Sequence, residues 1–102
     1  MRDYVADIKA YDSNPNHEAI EKLAKRLELT MRNADAALVA TSDPAEVARV
    51  EKNFAQGTLK ATPEAAKEAV KRVAMMMKGD RAKNRITFYY LVAKDLNAFD
   101  RL

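Results

Sequence analysis

The chain has 102 residues, a net charge of +3 and a hydrophobic fraction of 48%, the dimensions of a single domain spanning residues 1–102. Nineteen of its hydrophobic residues are Ala, and the abundance of helix formers beside two Gly and no Trp points away from sheet. The absence of Cys excludes disulfides, thiolate metal sites and a cysteine nucleophile, and is compatible with a reducing compartment.

The N-terminus carries Asp3 and Asp7 where a signal peptide needs an apolar run, and no later segment approaches the roughly 18 apolar residues of a membrane span. A cytoplasmic address with no membrane contact is expected. Tyr4, Val5, Ile8 and Tyr11 share one helical stripe, which predicts a short amphipathic helix over the first ten residues, stopped by Asp12-Ser13-Asn14-Pro15. From Asn16 the apolar positions Ile20, Leu23, Leu27, Met31, Ala34 and Leu38 fall three or four apart and predict a second helix. Thr30 and Asn33-Ala34-Asp35 favour a break in it, with a short helix restarting near Asp35, because Asn and Asp side chains compete for backbone hydrogen bonds.

Asp43-Pro44-Ala45-Glu46 is a helix start, with Asp as N-cap, Pro in the first turn and Glu three residues after the cap. The helix it launches buries Val47, Val50 and Phe54, and Gly57 is placed to close it in the left-handed conformation. Thr62-Pro63-Glu64 repeats the signal and predicts a helix burying Ala66, Val70, Val73 and Met77, closed at Gly79. Asp80 is then placed to cap a last helix from Arg81 to about Asn97. Its consecutive Phe88, Tyr89, Tyr90, Leu91 and Val92 cannot share one face at about 100° per residue. Either this helix sits at the centre of the chain, or a second copy covers one face. The small core favours the homodimer. The predicted fold is thus an all-α, compact multihelical bundle of five to six short helices with the last one central.

Enzymatic signatures are sparse. His17 is the only histidine, and Glu18 and Glu21 lack the i, i+4 spacing that would aim them with it at a metal. Two glycines cannot build a nucleotide loop, and no nucleophile–histidine–acid pattern exists, so neither catalysis nor a cofactor is expected. Residues 1–51 hold seven Lys/Arg and ten Asp/Glu, a charge of −3, whereas residues 52–102 hold eleven and five, a charge of +6. The basic density peaks at Lys71, Arg72, Lys78, Arg81, Lys83 and Arg85. With a helix start at Gly79-Asp80, Lys71, Lys78, Arg81, Lys83 and Arg85 form a candidate anion or nucleic-acid site. The plainer reading is a solvated face. Phe88, Tyr89, Tyr90, Val92 and Met75 are the candidate interface for a second copy or another protein. Of Met75-Met76-Met77, core filling by Met76 or Met77 is expected, with Met75 partly exposed.

Asn33-Ala34-Asp35-Ala36, Val39-Ala40, Asp43-Pro44-Ala45-Glu46, Val50, Asn53-Phe54, Arg81-Ala82-Lys83-Asn84-Arg85 and Tyr89-Tyr90-Leu91 together resemble the small bacterial family known as domain of unknown function 2853. The likeness is closest over residues 33–96 and looser in the N-terminal third. It departs at Ala55-Gln56-Gly57-Thr58-Leu59, where the family is richer in Lys and Leu. What the resemblance implies is a compact multihelical bundle, and no particular activity.

Overall fold

Helix starts follow their capping side chains in the computed structural model, which describes residues 4–102. Helix α1 (Tyr4–Lys9) buries Ile8 and ends at the predicted stop. Asn16 caps α2 (His17–Arg26), its side chain accepting the Ala19 N–H at 3.1 Å. Asp43 caps α4 (Pro44–Arg49) through the Ala45 N–H, and Thr62 caps α5 (Pro63–Met76) through that of Ala65. In both, Pro occupies the first turn, where its missing N–H has no intrahelical partner to lose.

The second predicted helix breaks earlier than the sequence suggests. Leu27 leaves helical geometry while its side chain stays in the core, and a single turn, α3 (Glu28–Met31), follows. No helix restarts at Asp35. The Asn33 side chain instead accepts the N–H groups of Asp35 and Ala36, satisfying in a turn the donors that would have begun one. The chain then runs to an isolated antiparallel bridge between Leu38 and Asn84, flanked by Val39 N–H to Lys83 O at 2.9 Å and Arg85 N–H to Ala37 O at 2.8 Å. Among the described residues no strand forms beyond this bridge.

Helix α4 continues into a π-helical segment over Val50–Gln56. The wider turn carries Phe54 onto Tyr89, with ring centroids 4.0 Å apart and planes 18° from parallel. Gly57, predicted to be left-handed, keeps right-handed helical backbone, and neither glycine has a positive φ. Its role is close approach, since a Cβ there would lie 2.5 Å from the Asn53 carbonyl oxygen.

Helix α6 (Arg85–Asp95) also starts later than predicted. Asp80 accepts the Ala82 N–H in a local turn, and the buried Asn84 is the cap, accepting from Ile86 and Thr87. At the other end Asn97, with φ of 52°, closes the helix: its N–H bonds to Lys94 O at 3.0 Å and that of Ala98 to Ala93 O at 2.9 Å. This is the paired closure that a left-handed residue permits, and Asn tolerates that conformation better than most side chains. A turn of 3₁₀ helix (Phe99–Arg101) follows. Helices α1, α2, α5 and the π segment all pack on α6, which makes it the central element of the bundle.

Candidate interaction surface

The cover that α6 needs comes from its own chain. Phe88, Tyr90 and Val92 have no exposed surface, and Tyr89 is half-buried under the Phe54 stack and the Arg85 guanidinium, 5.5 Å from its ring centroid. Phe88, Tyr90 and Val92 are therefore core residues, which corrects their reading as an interface. The expectation took the core to be too small to cover the whole helix. In the structure α1, α2, α5 and the π segment surround α6, leaving only Tyr89 of its aromatic run partly open.

Tyr90 also anchors the first interhelical turn. Its hydroxyl donates to Asp12 Oδ2 at 2.6 Å and accepts the Asn16 N–H at 2.8 Å, while Lys94 Nζ lies 3.2 Å from Asp12 Oδ1. Burial and the adjacent Asp12 carboxylate push the Tyr90 hydroxyl up to about 12. The hydrogen bond from Tyr90, with help from the Asn14 N–H and Lys94, holds Asp12 below the usual carboxylate range despite its burial. Nearby, Thr87 Oγ1 donates to Asp7 Oδ2 at 2.7 Å, a contact that ties α1 to α6. Asp3, the other acid of the N-terminal segment, lies outside the described residues.

Arg85 is likewise committed to the interior, which corrects its place in the candidate anion site. Nε donates to Ala36 O at 2.6 Å, Nη1 to Tyr89 Oη at 3.0 Å, and Nη2 to Leu38 O at 3.0 Å and to the Glu46 carboxylate. Glu46 does not fold back to complete a capping box. It receives Arg85 on one oxygen and Arg49 on the other, and although burial works against its charge, these two guanidinium groups hold its carboxyl below the ordinary range. Lys83 Nζ donates to Asp80 O at 2.9 Å. The helix N-terminus expected among these cations lies instead at Asn84, inside the protein. Arg81, Lys78 and Lys71 remain exposed.

The remaining candidates meet on α5. Lys71 and Met75 are four residues apart on one helical edge, and Lys78 follows in the turn whose N–H bonds to Met75 O. Met75 is 64% exposed and Met76 49%, whereas Met77 fills the core. A shallow cleft of about 200 Å³ beside them is lined by Met76, Leu91, Lys94 and Asp95. Its wall is pinned by Arg72, which donates to both oxygens of Asp95, with contacts of 2.7–3.1 Å, and thereby ties α5 to α6. Among the described residues no three His, Asp or Glu side chains are arranged to hold a metal ion, and no helix is long and apolar enough to cross a membrane.

With this geometry in place, comparison with known families finds one whose pattern, described as "Protein of unknown function (DUF2853)", matches residues 3–100. The chain belongs to the DUF2853 family. The match extends well beyond the 33–96 stretch in which the resemblance is closest. No curated protein and no solved structure matches the chain. Two features of this DUF2853 surface escaped the sequence reading, the exposure of Met76 and the placement of Lys67 one turn before Lys71. Counting in fours along Thr62-Pro63-Glu64's helix would have found the second; the first depends on how α6 packs.

Proposed function

We propose that this DUF2853 protein is a non-enzymatic module that binds another protein through the outer edge and C-terminal end of α5. The observation that carries the reading is the adjacent exposure of Met75 and Met76 on a helix whose opposite face packs into the core. Among the described residues the other exposed large apolar side chains are Leu29 and Leu38, each isolated in sequence. Methionine side chains are flexible and polarizable, which suits them to contact surfaces that adapt to a partner. A non-catalytic role is supported by the state of the buried polar groups. Asp12, Glu46, Arg85 and Tyr90 are consumed by one another and by backbone groups, so none is free to exchange a proton or attack a substrate.

A symmetric homodimer on this face would gather Lys71 and Lys78 of both copies into one interface, and like charges brought together there oppose association. A different protein is the better occupant. The test is site-specific photocrosslinking, with a photoreactive side chain at position 75 or 76 and at the exposed Glu21 as control. An adduct with one other protein, formed from 75 and 76 and absent from 21, is the expected result. Adducts between two copies of the chain would replace the reading with homodimerisation, and none above the control would discard it. Light scattering at high micromolar concentration is expected to give the mass of one chain.

A further inference from the structure

The partner of this surface has a chemistry that the charges around Met75 specify. We infer, resting on the interaction reading above, that α5 receives an acidic segment whose apolar anchor seats on Met75 and Met76 and whose carboxylates face Lys67, Lys71 and Lys78. Three exposed cations have an acid one turn away, Lys22 with Glu18 at 3.4 Å, Arg32 with Glu28 at 3.3 Å and Arg72 with Glu68 at 3.5 Å, whereas others such as Lys25 and Arg26 do not pair among the described residues. On the edge bearing Met75 the unpaired cations adjoin two exposed thioethers. Lys67, Lys71 and Met75 succeed one another at intervals of four, so two like charges stand one turn apart, an arrangement that is mildly destabilising on an isolated helix.

Glu68, the acid nearest in sequence to Lys71, has its carboxylate turned to Arg72. Lys67, Lys71 and Lys78 are exposed and enter no ion pair among the described residues. An acidic segment laid along this edge would pair the cations and cover the two thioethers in one contact. Because the Arg72–Asp95 bond set fixes α5 against α6, the surface is ordered before the partner arrives, which lowers the entropic cost of docking.

The test is an NMR titration of the full chain carrying ¹³C-methyl methionine. Two synthetic helical peptides with the same leucine stripe serve as probes, one flanked by Glu and the other by Lys, beside a single-stranded oligonucleotide. The acidic peptide is expected to shift the ε-methyl signals of Met75 and Met76 saturably and leave that of buried Met77 in place. It is also expected to bind at least tenfold more weakly to a Lys71→Glu/Lys78→Glu variant of unchanged melting temperature, and more weakly as salt is raised. Equal binding of both peptides, or no loss in the variant, would overturn the acidic partner while leaving the interaction reading standing. Tighter binding of the oligonucleotide than of the acidic peptide would overturn it in favour of nucleic acid. If neither peptide moves the methionine signals, the inference and the reading beneath it both fail.

Discussion

Tyr90 carries a hydroxyl into the middle of the molecule, where every polar atom must find a partner. It finds two, Asp12 and the Asn16 N–H, and so joins α6 to the turn between α1 and α2. Replacing it with Phe keeps the ring in the core but leaves one oxygen of the Asp12 carboxylate and a backbone donor unpaired. Tyr90→Phe is expected to lower stability by roughly 1–3 kcal/mol in urea denaturation. The titration has a definite sign. In the unfolded chain a tyrosine loses its proton near pH 10, but in the fold Tyr90 holds it to about 12. Between those values the folded state binds more protons, so stability falls as pH rises from 10 towards 12. A melting curve measured across that range should show the decline in the wild type and a shallower one in Tyr90→Phe.

Helix ends show where chain geometry and residue preference part company. Gly57 was placed at a left-handed closure and Gly79 at a helix end, yet the left-handed residues are Lys60, with φ of 61°, and Asn97. At Asn97 the preference is respected, because its short amide suits that conformation, but a sequence scan for Gly alone passes over it. Gly57 is needed for space: in the π segment the backbone closes on itself, and an added methyl collides with the Asn53 carbonyl. Gly79 has nothing within 4 Å of a Cβ and a negative φ. The two therefore respond oppositely to alanine. Gly57→Ala is expected to destabilise by about 1–3 kcal/mol through backbone displacement. Gly79→Ala should be neutral or stabilising by up to about 1 kcal/mol, because it restricts only the unfolded chain. Paired thermal melts of the two variants check both.

For the bundle as a unit, Arg85 is the fastening between its two halves. Its guanidinium gathers two loop carbonyls, Glu46 and Tyr89, and so holds the segment around Leu38 against the start of α6. Arg85→Met leaves Glu46 as a buried carboxylate supported by Arg49 alone and two carbonyls unpaired, and a loss of roughly 3–5 kcal/mol is expected in equilibrium unfolding. Acid should act on the same fastening. Glu46 and Asp12 both have carboxyls held below their unfolded values, so the stability they confer is complete above the ordinary carboxylate range near pH 4. It is lost as pH falls through their lower folded values.

The sequence was enough to establish the all-α class, the capped starts of α2, α4 and α5, the buried stripe Ala66, Val70, Val73 and Met77, and a central last helix. Those properties are local, since capping and a 3.6-residue period act within one or two turns of the chain. Which candidate residues stayed on the surface was decided by the tertiary structure alone. Arg85 and Phe88 belong to the same charged and aromatic segment as Arg81, yet they are turned inward by partners 39 or more residues away or by helices packed from several sides. Met75, Lys71 and Lys78 were left facing water because α5 spends its opposite face on that same packing. Burial is a sum over distant neighbours, and no period along the chain records it.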